Sequence, residues 1–137
     1  MPNNGTALCD TGVLVALFSA GQARRDECET ALTTFQGNLV TTVAVLAETF
    51  HFVGPQVERE RIWGLLSGGG MEVVELSQPD LRRVRSLMRI YADLPMDFAD
   101  ASLVAIGERL RINNVFTLDA HFRVFRPRHT TSFDILP

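Results

Sequence analysis

Short apolar runs along this chain alternate with longer stretches in which apolar residues recur every three or four positions. Runs of a few residues bounded by turn formers read as buried strands, and the recurrence reads as helix. Thr6-Ala7-Leu8-Cys9 is a first strand ending at Asp10; after Thr11-Gly12, the run from Val13 to Phe18 opens a helix. Gly21 through Phe35 predicts a surface helix with Ala23, Cys28, Ala31, Leu32 and Phe35 inward and Arg24, Arg25, Asp26, Glu27 and Glu29 in solvent. Leu39-Val40-Thr41 is a second strand. Thr42 is a capping residue for the mostly apolar stretch from Val43 to Val53.

Pro55 opens a further helix through Leu66, with Val57, Arg61, Ile62, Leu65 and Leu66 on a partly apolar face and Trp63 either packed or at a partner surface. Gly68-Gly69-Gly70 lacks a following lysine or a helix-opening serine, so it reads as a break before a strand and not as a phosphate loop. Glu72 to Leu76 is the third strand. Ser77 caps the next helix with Asp80 at its third position, and Leu81, Val84, Leu87, Met88 and Tyr91 point inward. Asp97 to about Arg111 is helical, with Ala99, Leu103, Ile106 and Leu110 as one buried stripe. Asn114 to Leu118 is a fourth strand, ending at Asp119, and Ser132 to Leu136 a fifth. Strands alternating with helices predict an α/β fold whose parallel sheet carries helices on both faces.

Composition narrows the class. With 137 residues, 46% of them hydrophobic, the chain has the size and content of one globular domain over 1–137. The longest nearly apolar runs are about eleven residues, too short to cross a membrane. No basic start, apolar core and small-residue cleavage site opens the chain, so a cytoplasmic protein is expected. Cys9 and Cys28 have no metal-type spacing and read as reduced packing residues. The net charge is −3, and every one of the thirteen basic residues is arginine. Without lysine there is no Schiff base, no phosphate-loop lysine and no lysine partner for a phosphoaccepting aspartate.

The acids then stand out. Asp10 and Asp119 each end a strand, where parallel α/β folds place their sites. Asp97 and Asp100 open a helix three residues apart and share a face, which fits either a cap with its first-turn partner or a pair aimed at one site. Glu48 is the sole acid from Val43 to Val53. It lies either on a solvent strip or toward a polar pocket holding a metal, and His51 is within reach of the same face. Each aspartate also makes sense as a cap alone. Gathered together, the carboxylates raise one another's pKa, and a hard cation resolves the repulsion: oxygen ligands select Mg²⁺ or Mn²⁺. One or two such ions support hydrolysis of a phosphodiester with no protein nucleophile. Arg82, Arg85 and Arg89 on one helix face, with Arg83 nearby, and Arg123 and Arg126 after Asp119 suit a nucleic-acid backbone or a solvated surface.

In four places the chain resembles the PIN domain family, and more narrowly its VapC-type toxin ribonucleases: Leu8-Cys9-Asp10-Thr11-Gly12-Val13-Leu14, Glu48 within Leu46-Ala47-Glu48-Thr49, Asp100-Ala101-Ser102-Leu103-Val104-Ala105, and Thr117-Leu118-Asp119-Ala120-His121-Phe122. The resemblance implies a three-layer α/β/α sandwich with a five-stranded, mainly parallel sheet. It implies RNA cleavage dependent on Mg²⁺ or Mn²⁺, a homodimer and a small antitoxin partner. The family's acids match Asp10, Glu48, Asp100 and Asp119, with Asp97 as an auxiliary ligand or a cap, and its hydroxyls match Thr11 and Thr117. Competing readings are a housekeeping RNA-processing nuclease, an inactive PIN-like binding module, and a phosphoaccepting signalling domain disfavoured by the missing lysine.

Overall fold

The computed structural model describes residues 5–137. In chain order its elements are β1 (Thr6–Cys9), α1 (Thr11–Phe18), α2 (Arg25–Phe35), β2 (Asn38–Thr41), α3 (Val43–Phe52), α4 (Gln56–Ser67), β3 (Glu72–Val73), α5 (Gln78–Ile90), α6 (Phe98–Leu110), β4 (Asn114–Phe116), a turn of 3-10 helix (Ala120–Arg123) and β5 (Asp134–Leu136). The five strands form one sheet in the order β3-β2-β1-β4-β5, and every pair is parallel. This is the expected α/β/α architecture. The chain steps from β1 to β2 to β3 in one direction and then crosses back from β3 to β4. Right-handed crossovers with that reversal put helices on opposite faces, and they leave a crevice between the carboxyl ends of β1 and β4.

The sheet is apolar on both faces because both are covered. Leu8, Val115 and Phe116 are fully buried, as are Leu14, Leu103 and Ile106 from the helices packed on them. Gly107 fits α6 onto β1: a Cβ there would stand 2.9 Å from Leu8 Cδ1. Cys9 and Cys28 are buried free thiols, as expected.

Several boundaries differ from the sequence reading. The second helix begins at Arg25, because Gly21 turns the chain with φ 74°, and Ala23, expected inward, is exposed. The third strand is only Glu72–Val73; Val74 makes a last bond to the Thr41 carbonyl and the chain then leaves the sheet edge. Leu81 and Met88 sit at the margin of the buried face of α5 and are 38% and 36% exposed. Val57 and Arg61 of α4 are exposed too, leaving Ile62 as its buried residue. Trp63 is half exposed and stacks on Phe50 with ring centroids 5.1 Å apart.

α5 and α6 are joined by ion pairs that show them to run antiparallel. Arg83 makes a two-pronged contact with Glu108 at 2.8 and 2.9 Å, and Arg109 reaches back to Asp80 at 3.0 Å. The Arg83 and Glu108 side chains are only 14% and 10% exposed, so removing one partner strands a charge. Arg83→Met is expected to destabilise the protein by about 3 kcal/mol, and Arg83→Met/Glu108→Leu to recover part of it, since Glu108 also accepts the Arg128 N–H. Urea unfolding midpoints measure both; an unchanged midpoint for the single variant would mean that the pair is effectively solvated.

Candidate active site

The reversal in strand order determines where the acids meet. Asp10 follows β1, and its N–H continues the ladder to the Phe116 carbonyl at 2.9 Å. Thr117 follows β4 on the neighbouring strand, so its hydroxyl donates to Asp10 Oδ2 at 2.8 Å, while Asp10 Oδ1 accepts the Thr11 N–H at 2.8 Å and caps α1. Thr117 Oγ1 also accepts the Asp119 N–H at 3.0 Å, turning the chain so that Asp119 caps the 3-10 turn through the His121 N–H. His121 Nδ1 stands 3.3 Å from Asp119.

Across the crevice, Asp97 and Asp100 form a capping box at the start of α6. Asp97 Oδ1 accepts the Asp100 N–H at 2.8 Å, and Asp100 Oδ2 accepts the Asp97 N–H at 3.2 Å. Thr11 donates to Glu48 Oε1 at 2.7 Å, tying α1 to α3. The cap and pocket readings of these aspartates are therefore compatible. A carboxylate oxygen has more than one lone pair, so capping leaves acceptor capacity facing the cavity.

All five carboxylates line one open cavity of about 670 Å³, together with Thr11, Gln22, Phe52, Pro95 and His121. Among the described residues no arginine lines it. Burial pushes the Asp100 carboxyl up to about 8, and the charges of Asp10, Asp97 and Asp119 add to the shift against one backbone hydrogen bond. Asp10 rises to about 6, again chiefly through burial and then the charges of Asp119 and Asp97, while the Thr117 and Thr11 hydrogen bonds oppose it. Glu48 is raised by burial and by Asp97, whose carboxyl is within hydrogen-bonding reach, against the Thr11 hydrogen bond.

As the side chains stand, no three His, Cys, Asp or Glu among the described residues close on one point as a metal-coordinating set. The chemistry of the donors nevertheless suits a hard cation: the acids offer only oxygens, they repel one another, and no arginine neutralises them. His51 is exposed, packs its edge on Phe52 and does not line the cavity. The arginines considered for RNA do not line it either. Arg82, Arg85 and Arg89 are exposed on α5, and Arg126 spends Nη1 on the Arg123 and Phe125 carbonyls.

The family described as PIN domain matches residues 7–126. The chain belongs to the PIN domain family. Solved structures share the fold of this PIN domain. VapC20 of Mycobacterium tuberculosis, a toxin that cleaves the sarcin-ricin loop, superposes with a TM-score of 0.80 at 17% identity, over 91% of this chain and 98% of its own. A toxin-antitoxin complex from Klebsiella pneumoniae gives 0.66 at 23% identity, over 82% and 86%. VapBC2 from Rickettsia felis, bound to a DNA fragment from its promoter, gives 0.67 at 12%, over 96% and 99%. No curated protein matched by sequence.

Sequence reading found the acids but missed the lining by Gln22, Phe52 and Pro95, since nothing local marks a cavity wall. It also missed a buried hydroxyl contact between Thr42 and Ser102; the signal was a serine inside the apolar run from Ala101 to Ala105.

The raised carboxyl pKa values set a pH dependence. Asp10 and Asp100 hold protons more tightly in the folded chain than at their ordinary value of 3.8. Their contribution to stability is complete below that value and is lost as pH rises through about 6 and about 8. The metal-free protein is therefore expected to lose stability through these groups as pH rises from about 4 to about 8, and Asp10→Asn and Asp100→Asn each flatten the fall. Urea midpoints across that range measure it. Slopes unchanged in both variants would contradict the assignment.

Proposed function

We propose that this PIN domain is a Mg²⁺- or Mn²⁺-dependent endoribonuclease that hydrolyses RNA phosphodiester bonds, and that it is the toxin of a toxin-antitoxin pair. The observation that carries the proposal is the convergence of Asp10, Glu48, Asp97, Asp100 and Asp119 on one cavity without an arginine to neutralise them. The toxin assignment draws on the fold shared with VapC-type proteins.

Asp10, Glu48, Asp100 and Asp119 would hold the cation, with Asp97 either a further ligand or only the cap of α6. A hard divalent cation supplies the positive charge that polarises a phosphodiester and offsets charge on the departing oxygen. The chain's own residues orient and manage protons. Thr117 and Thr11 fix both oxygens of Asp10, and Thr11 fixes one oxygen of Glu48, whose carboxylate would be the candidate acceptor for the proton of an attacking water. Asp100, whose carboxyl burial raises to about 8, would give up its proton to serve as a ligand.

The antiparallel pairing of α5 with α6 puts the Arg89 end of α5 at the same end of the helix pair as Asp97. Arg82, Arg85 and Arg89 would thus line an approach along which RNA phosphates run. A small antitoxin covering the acids and a homodimer complete the proposal. Among the described residues no helix is long and apolar enough to cross a membrane.

The test is cleavage of a broad RNA pool with Mn²⁺. Asp10→Asn and Asp100→Asn should each lower the rate at least about a hundredfold. Replacing Arg82, Arg85 and Arg89 by alanine should reduce the salt slope of RNA binding to the uncleaving Asp10→Asn protein by about two. Full activity in both aspartate variants would end the mechanism, and an unchanged slope would assign the arginines to the solvated surface.

A further inference from the structure

Glu48 on α3 faces Asp97 and Asp100 on α6 across the acid cavity, so the separation of those helices governs how the carboxylates meet. A buried line of hydroxyls links the two. Ser102 Oγ donates its one proton to the Ala99 carbonyl at 2.7 Å. In its 2.7 Å contact with Thr42 Oγ1, Ser102 is therefore the acceptor and Thr42 the donor. Thr42 Oγ1 in turn accepts the Val45 N–H at 3.4 Å as the cap of α3. The run from Val45 N–H through Thr42 and Ser102 to the Ala99 carbonyl uses the proton of each hydroxyl, and both residues are completely buried.

Packing alone does not require this arrangement. An apolar side chain at either position would remove a polar group that burial otherwise penalises. Thr49, equally buried on α3, satisfies its hydroxyl within its own helix at the Val45 carbonyl, 2.8 Å away. Thr42 alone of these two threonines spends its proton on α6. The Thr42 bond lies at the start of the helix that carries Glu48, and Ser102 follows Asp100 by two residues on the helix capped by Asp97. The hydroxyl contact thus joins the start of one acid-bearing helix to the first turns of the other.

We propose that Thr42 and Ser102 are positioning residues: their buried hydroxyl bridge fixes α3 against α6 so that Glu48 meets Asp97 and Asp100 in the geometry that accepts a divalent cation. The cation part rests on the proposed nuclease reading. The bridge itself is read without any metal.

The experiment compares wild type with Thr42→Val, Ser102→Ala, the conservative Thr42→Ser, and Thr49→Val as a control for losing a buried hydroxyl from α3. Carboxyl carbon NMR shifts of Glu48, Asp97 and Asp100 are recorded without metal, and Mn²⁺ affinity is then measured by calorimetry. Thr42→Val and Ser102→Ala should move the carboxyl shifts alike and weaken Mn²⁺ by about tenfold, the usual scale for supports one step removed from a metal ligand. Thr42→Ser should stay at wild type, and Thr49→Val should lower the melting temperature without either change. Carboxyl shifts unmoved by Thr42→Val and Ser102→Ala, or moved equally by Thr49→Val, would overturn the positioning role. Shifts that move as described in a protein that binds no Mn²⁺ would support the bridge and overturn the nuclease reading instead.

Discussion

Five carboxylates line one cavity, and among the described residues no arginine lines it with them. Like charges at short range in a half-buried cavity oppose folding, and the chain meets that opposition with local devices. Asp10, Asp97 and Asp119 each cap a helical segment, and Asp100 lies in the first turn of α6. The exposed amides and the positive end of the helix dipole therefore work against the repulsion. Thr11 and Thr117 donate to Glu48 and Asp10. These devices do not offset everything: burial first, and the neighbouring charges after it, still raise the pKa values of Asp10 and Asp100.

The topology explains why the acids are together at all. Asp10 and Asp119 are far apart in sequence, but β1 and β4 are neighbours, and between them the strand order reverses. Helices cannot cover the carboxyl ends of both strands at a reversal, so a crevice is left there. α6 closes one side because it leads directly into β4, and α3 closes the other because it leaves β2. The pairs Arg83 with Glu108 and Arg109 with Asp80 sit toward the far end of the α5–α6 hairpin, where they fasten it without putting a cation beside the acids.

Much of this was legible because its signals are local. An apolar strand that ends on an aspartate marks both Asp10 and Asp119, and an aspartate pair three apart before an apolar stripe marks the start of α6. The alternation of strands and helices was enough for the parallel sheet. What escaped the sequence depends on partners distant in the chain. Arg83 meets Glu108 across 25 residues and Thr42 meets Ser102 across 60, with no periodicity to announce either. Leu81 and Met88 fit the helical period yet lie at the edge of the stripe, where period alone cannot tell a covered position from a marginal one. The third strand read too long because its apolar content continues past the point where pairing with β2 ends.

If a divalent cation relieves the carboxylate repulsion, its binding is linked to proton release. Burial holds the Asp100 carboxyl up at about 8, so a cation entering the cavity near neutral pH would displace its proton. Calorimetric titration of Mn²⁺ into the protein, in buffers of different ionisation enthalpy, reads the number of protons released. Mn²⁺ is expected to bind with release of about one proton near pH 7, and with less release from Asp100→Asn. Binding that releases no proton, or an absence of Mn²⁺ binding by the wild type, would contradict it.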